Sequence, residues 1–550
     1  MINIKDFLKQ NLIKQNFKRM KNIINLLAIL YCSIIYCQVG IGTTNPNRSS
    51  ALDITSSDKG LLLPRLNLIS TTKSGPLLSH VAGMMVYNLA NNEDVKPGYY
   101  INDGSKWQSI TDAIQTINDQ QTTIENLGNQ VPIKRAVFIA GQSNTHNGKG
   151  NAIIPDFSGK NLSQLGRKSP ENFQIIPLTF YGTHHHTNLS NHGSFGSIFL
   201  YHYYNKLQED FPNREIQLIL IPCGKGGSGW LTDRGNTWRA SDVLWSDLIT
   251  RIKWIKNNGY QIDAFLWHQG ETDAQNNTKN YKDVLKNFIQ SVRDYAGNQN
   301  LPFILGEMAQ SWVTNNHKSA YQEIINSIPN EVPYTATTSS TELTLGDHIH
   351  FDASAHVELG SRYFDNLDNA KKNTSPADYS NPAVGQHLIY NFDSSKRNVF
   401  PDEFSAIRYG ENEEDDRYSV LGDIWKYKNK DGYFRFKLVV VNGDLITGGV
   451  FEWKQKINPF GLSKKNFEDL SSCIILSNSI GLDTSINGNG FNSLVCDSFT
   501  GKTLFHGDTQ KDSDKWFFSI GQISNYSNKI PLIEGDVNNV THVQLYCIKE

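Results

Sequence analysis

Cysteine and methionine are scarce in this chain, at six and five of 550 residues, and no Cys/His set has the spacing of a metal site. No resident metal is therefore expected, and acyl transfer by a serine and a histidine, the chemistry Ser143 and His350 offer, needs no other cofactor. A surplus of charge is also missing: 52 Lys+Arg face 54 Asp+Glu, so no net field recruits nucleic acid. No apolar run is long enough to span a bilayer comfortably; the longest candidate, residues 23–36, falls short. Two motifs are incomplete. Thr145 stands where a Gly-x-Ser-x-Gly elbow would place its second glycine, and the glycine-rich run at 224–229 lacks the Lys-Ser/Thr ending of a phosphate-cradling loop.

The length exceeds one ordinary domain, at about 100–200 residues each, and suggests several modules. Aromatic residues reach 11%, a content that fits sugar-contacting surfaces and aromatic-rich β cores equally. Residues 1–37 read as an export signal, in which Lys18, Arg19 and Lys21 precede the apolar run and cleavage is expected near Cys37. Met20 is the alternative start to Met1, since beginning there gives a signal of ordinary length. A lipidated Cys32 or Cys37 fits less well, because Tyr36 is bulky where small residues normally stand. Removing the signal leaves Cys223, Cys473, Cys496 and Cys547. Cys473 and Cys496 are the nearest pair in sequence, and Cys223 ends an apolar strand where a buried free thiol is expected.

Residues 38–112 alternate short apolar runs with Gly, Pro, Asn and Ser clusters and form a small β-rich module. Its opening, Val39 to Pro46, with Ala51-Leu52-Asp53-Ile54 and Lys59 to Arg65, resembles the N-terminal region of secreted Bacteroidetes surface and fibre-like proteins. In residues 113–131, Ile114, Ile117, Ile124 and Leu127 recur at three- and seven-residue steps. A short coiled coil, making the chain a homo-oligomer with Gln121 weakening the seam, and a simple linker helix or tether both fit.

From 132 to 374, buried strands at 136–140, 216–222, 264–267 and 303–305 alternate with helices at 195–209, 241–257, 278–295, 316–328 and 353–370. That alternation predicts an α/β domain with a parallel sheet covered on both faces, whose site lies beyond the carboxyl ends of the strands. Residues 375–550 show strand-like runs at 434–441, 450–454, 473–476, 515–519 and 542–548. They read as an all-β, lectin-like module suited to binding glycan.

Four segments carry the chemistry: Gly141-Gln142-Ser143-Asn144, the glycine run 224–229, Trp267-His268-Gln269-Gly270-Glu271-Thr272-Asp273, and Asp347-His348-Ile349-His350. Ser143 follows a strand directly, so its hydroxyl and its own amide point out together. The glycines let backbone approach a ligand, and a Gly226 or Gly227 amide can donate to an oxyanion. Gln269 offers a side-chain amide donor, while Glu271 and Asp273 can hold the loop by binding nearby amides. Asp347 and His350 sit close enough for one turn to carry a base and its orienter, with Asp347 on Nδ1 and Ser143 on Nε2. His348, adjacent to Asp347, is less able to fold back on it. A glycosidase built on Glu271 and Asp273 would leave Ser143 and His350 without roles. A metal site from His348, His350 and His184 to His186 competes with a solvated histidine run.

Together these blocks resemble the SGNH (GDSL-like) hydrolase superfamily, and within it the sialate O-acetylesterase-like and carbohydrate esterase family 6 branch, over residues 134–372. The resemblance implies a three-layer α/β/α, flavodoxin-like catalytic domain, flanked by a small β-rich N-terminal module and a C-terminal all-β domain. It implies Ser143 as nucleophile, His350 as base and Asp347 as orienter, with the oxyanion held by the amides of Ser143 and Gly226 or Gly227 and by Gln269. Asn144, Glu271 and Asp273 would support the site. The expected substrate is an acetylated carbohydrate, attacked by an exported, secreted or surface-displayed enzyme. Two rivals stand beside it. One is an inactive glycan-binding fibre protein, which the complete set of Ser143, Gln269, Asp347 and His350 argues against. The other is an esterase for lipid or simple esters, against which the Trp230 and Trp238 loops tilt toward sugar.

Overall fold

In the computed structural model of the chain, the described residues are 9, 12–24, 38–92, 94–181, 191–232, 235–240, 242–393, 400–402, 404–415, 417–442, 445–462, 473–478, 494–496, 503–507, 519–522 and 540–550. Most of the apolar run at 23–36, Cys32, Cys37, His184 to His186 and residues 515–518 lie outside them. Two compact units result, Met1–Gly128 and Asn129–Glu550.

The first unit is built on very short strands. Val39–Ile41 pairs in parallel with Leu52–Ile54, and a separate four-stranded sheet contains Met85–Asn88, Gly98–Asn102 and Trp107–Ser109. Around Leu68, Val86, Val95, Tyr100 and Trp107 it closes a small core. Asn88 is buried there and satisfied by backbone, accepting from the Leu68 and Ala90 amides and donating to the Ala90 and Lys96 carbonyls. Helix Ile110–Gln130 follows, with Ile114 and Ile117 exposed.

The second unit is organised by a seven-stranded sheet. Its strands are β1 (Ile133–Gly141), β2 (Leu162–Leu165), β3 (Ile175–Pro177), β4 (Ile216–Pro222), β5 (Gln261–His268), β6 (Phe303–Gly306) and β7 (Thr335–Thr338), in the order β3-β2-β4-β1-β5-β6-β7. Every pair is parallel except β3 with β2 at the edge. The apolar runs of β1, β4 and β5 are continuous rather than alternating because both faces are covered. Helices α1 (Phe195–Asp210), α2 (Val243–Asn257), α3 (Tyr281–Ala296), α4 (Ser319–Glu331) and α5 (Ala353–Lys372) supply the cover. On one face Gly196 of α1 presses on Ile139 and Leu220. On the other, Phe138 stacks on Phe265, whose ring meets Phe288 of α3 at 6.3 Å. The expected strands and helices are present with ends moved by a few residues, and β2, β3 and β7 are additional.

Beyond residue 374 the chain forms an antiparallel sheet from β8 (Gly385–Asp393), β9 (Arg417–Ser419), β10 (Phe434–Asn442), β11 (Leu445–Gln455), β12 (Ile474–Asn478) and β13 (Val540–Lys549), ordered β9-β8-β13-β10-β11-β12. This sheet belongs to the same compact unit as the α/β sheet. Cys223 and Cys547 are buried free thiols, the state expected for Cys223 at the end of an apolar strand.

Candidate active site

Strand β1 ends at Gly141, whose φ of +125° is one that side chains rarely adopt; an added Cβ would lie 2.1 Å from the His268 carbonyl oxygen. Only glycine lets β1 and β5 run this close where the chain leaves the sheet. The next residues bend into a single tight turn, Ser143–Thr145, which projects the Ser143 side chain beyond the strand ends. His350 Nε2 lies 2.9 Å from Ser143 Oγ, and its Nδ1 lies 2.9 Å from Asp347 Oδ2 and 3.1 Å from Oδ1.

Asp347 is held by its own loop. Its Oδ1 accepts from the amides of Ile349 at 3.0 Å and His350 at 2.8 Å, and its Oδ2 accepts from Lys149 Nζ at 2.9 Å. Partial burial opposes ionisation, but the bonds from His350, the two amides and Lys149 outweigh it and hold this carboxyl far below the usual range. His348 is exposed and makes no bond to Asp347. Among the described residues no group of His, Cys, Asp and Glu could hold a metal ion.

The glycine loop reaches the same place. A Cβ added at Gly226 would stand 3.7 Å from Ser143 Cβ, and Gly227 takes a positive φ of 66° to turn the loop. Among the described residues no acceptor takes the amides of Ser143, Gly226 or Gly227. Of the two glycines, Gly226 is the one whose backbone packs against Ser143.

Gln269 is placed differently from its expected role. Its Nε2 donates to Asp273 Oδ2 at 2.6 Å and faces the Ser228 carbonyl at 3.4 Å, while its Oε1 accepts from Tyr281 at 2.9 Å. Both amide hydrogens are thus engaged inside the fold, and neither is left for an oxyanion. Asp273 does what the spacing suggested, taking the Trp230 and Leu231 amides and the Thr278 hydroxyl. Burial raises its pKa and these bonds oppose the rise. Glu271 instead accepts from the side chain of Asn144 at 2.8 Å, and burial pushes its carboxyl up to about 7.

Trp230 and Trp238 are core residues, not sugar platforms. Both are buried against Trp267 and Phe288, and the Trp238 Nε1 donates to Ser228 Oγ at 3.0 Å. The tilt toward sugar that the sequence drew from them is therefore withdrawn. Lys149 went unnoticed in the sequence, since no motif ties it to a residue nearly two hundred positions away. Two further histidines, His268 and His356, are wholly buried close by, and desolvation lowers each to about 3; for His356 nearby His268, His350 and His192 add to the effect.

Residues 134–369 match the family model for carbohydrate esterase, sialic acid-specific acetylesterase. Residues 40–125 match a phage tail-like trimerisation region. No curated protein matches the chain. Among solved structures it is similar to NanS at 16% identity and TM-score 0.35, over 44% of this chain and 98% of that one. It is similar to a protein from Arabidopsis thaliana at 18% identity and TM-score 0.35, over 43% and 98% of the two chains. It is also similar to a carbohydrate acetylesterase from Sinorhizobium meliloti at 12% identity and TM-score 0.24, over 43% and 99%.

Proposed function

We propose that the chain, whose residues 134–369 match the family model for carbohydrate esterase, sialic acid-specific acetylesterase, is a carboxylic ester hydrolase that deacetylates sugars through an acyl-enzyme on Ser143. The observation that carries this reading is His350, which bridges Ser143 Oγ and the Asp347 carboxylate at 2.9 Å on each side.

In this mechanism Ser143 Oγ attacks the acetyl carbonyl while His350 Nε2 takes its proton. Asp347 holds the Nδ1–H tautomer and stabilises the imidazolium. The amides of Ser143, Gly226 and Gly227 receive the charge that develops on the carbonyl oxygen. His350 then passes the proton to the departing sugar oxygen, and water, deprotonated by the same nitrogen, releases acetate. Gln269 acts one layer behind, by fixing Asp273 and with it the loop that presents Gly226 and Gly227.

The fold of this domain we read as the three-layer SGNH arrangement. The basic and apolar start of the chain supports export, and the match to a trimerisation region supports an oligomer displayed through residues 38–131. The test is acetate release from acetylated sialic acid, xylan and pectin fragments by the full chain beside Ser143→Ala. Release that vanishes in the variant supports the serine esterase and ranks its sugars. Equal release by both removes Ser143 from the reaction.

A further inference from the structure

Lys149 is fixed from several directions before its side chain does anything. Gly148–Lys149 pairs antiparallel with His192–Gly193, and Lys149 also forms a parallel bridge with Asp352, the residue that caps α5 by accepting from the Ala355 amide. Gly148 permits this approach, since a Cβ there would stand 2.5 Å from the His356 ring. From that backbone the ammonium reaches Asp347 Oδ2 at 2.9 Å, the same oxygen that faces His350 Nδ1 at 2.9 Å. The lysine side chain keeps 43% of its surface in water, so the pair avoids the full penalty of burying an ion.

We propose that Lys149 is a positioning residue of the esterase, pinning the Asp347 carboxylate in the orientation that holds the His350 tautomer. This rests on the Ser143–His350–Asp347 reading above. Each carboxylate oxygen then has two donors or more: the two loop amides on Oδ1, and the imidazole and the ammonium on Oδ2. Without Lys149, Asp347 keeps the loop amides but loses the donor that opposes rotation of Oδ2 away from the ring.

Among the described residues Lys149 is the one lysine or arginine bonded to the Asp347 carboxylate.

The experiment compares wild type, Lys149→Met, Lys149→Arg and Ser143→Ala on 4-nitrophenyl acetate, recording kcat and KM from pH 4.5 to 9 together with thermal melts. Lys149→Met is expected to lose roughly tenfold in kcat with little change in KM or in melting temperature. Lys149→Arg is expected to restore kcat. A Lys149→Met profile that superimposes on wild type, while Ser143→Ala is dead, overturns the inference and leaves the serine reading standing. So does a fall in kcat that arginine does not rescue. Should Lys149→Met not fold, Lys149→Gln takes its place under the same criteria. Activity retained by Ser143→Ala would instead bring down the serine reading, and this inference with it.

Discussion

Asn144 Nδ2 donates to Glu271 Oε1 at 2.8 Å and to the Ile349 carbonyl at 3.1 Å. On its other side, Asn144 Oδ1 accepts from the Phe351 amide at 3.2 Å. The residue next to the nucleophile therefore grips the chain immediately before and after His350. Glu271 in turn holds the amide that does the gripping, and its second oxygen has no partner among the described residues. A buried carboxyl is thereby coupled to the position of the base.

Glu271 sits well above its ordinary pKa of 4.5, at about 7, because burial penalises the anion more than the bonds at its amide and from Asn144 favour it. A raised folded pKa contributes stability that is full below about 4.5 and is lost as pH rises through about 7. Glu271→Gln keeps an acceptor for Asn144 and removes the charge. Its melting temperature, relative to wild type, should climb between pH 5 and pH 8. A constant difference across that range would show that Glu271 does not titrate there.

His268 and His356 behave in the opposite sense. Desolvation lowers both to about 3, below the ordinary 6.5, so the stability they allow is complete above about 6.5 and is lost as pH falls toward about 3. His356 Nδ1 accepts from the Phe195 amide at 3.2 Å, a bond that an asparagine oxygen can reproduce. His356→Asn should lessen the acid-side decline by up to about one proton, or about 1.4 kcal/mol per pH unit, in denaturant titrations from pH 6.5 to 4. Parallel curves for variant and wild type would be evidence against it.

Local spacing makes much of this molecule readable. Asp347 and His350 lie in one turn, and Ser143 directly follows an unmistakable buried strand, so the segments that the structure brings together were visible separately. Strand β7 was not, because Thr335-Ala336-Thr337-Thr338 has no apolar run and owes its place to pairing with β6. Trp230 and Trp238 misled because an aromatic residue in a glycine-rich loop looks the same whether it faces sugar or Phe288. Lys149 was hidden for a different reason: its partner is chosen by a two-residue ladder that only the folded chain forms.

Gln269 separates a donor from a support. A residue that donated directly to the oxyanion would, on truncation, cost on the order of a hundredfold in kcat with little effect on stability. Gln269→Ala here strips a 2.6 Å bond from the buried Asp273 carboxylate and takes the Oε1 acceptor from the Tyr281 hydroxyl, which keeps only the 3.3 Å contact to the backbone carbonyl of residue 269. The expected result is a lowered melting temperature together with lowered kcat. Loss of kcat at an unchanged melting temperature would return the side chain to the oxyanion.

Described residues between 408 and 461 brace α3 and the neighbouring α2. Arg408 binds Asp283 through Nε at 2.8 Å and NH2 at 3.2 Å, and Asn458 Nδ2 reaches Asn287 Oδ1 at 2.8 Å. Lys428 pairs with the buried Asp294 at 2.7 Å, while Trp245 Nε1 donates to the Gly461 carbonyl at 3.0 Å. Packing is equally close, for a Cβ on Gly422 would come within 2.5 Å of Asp283 and one on Gly461 within 2.7 Å of Ser291. The face that an isolated α/β domain would turn to water is instead matched group by group. A chain ending at residue 374 should accordingly be aggregated or melt far below the full chain. Arg408→Met, which removes a partner only part-buried itself, should cost roughly 1–3 kcal/mol in denaturant unfolding. In a double-mutant cycle with Asp283→Asn the two losses should fall short of additive, because both substitutions break one pair. A soluble, fully active chain ending at 374 would make the module a detachable appendage and remove the reason for expecting either result.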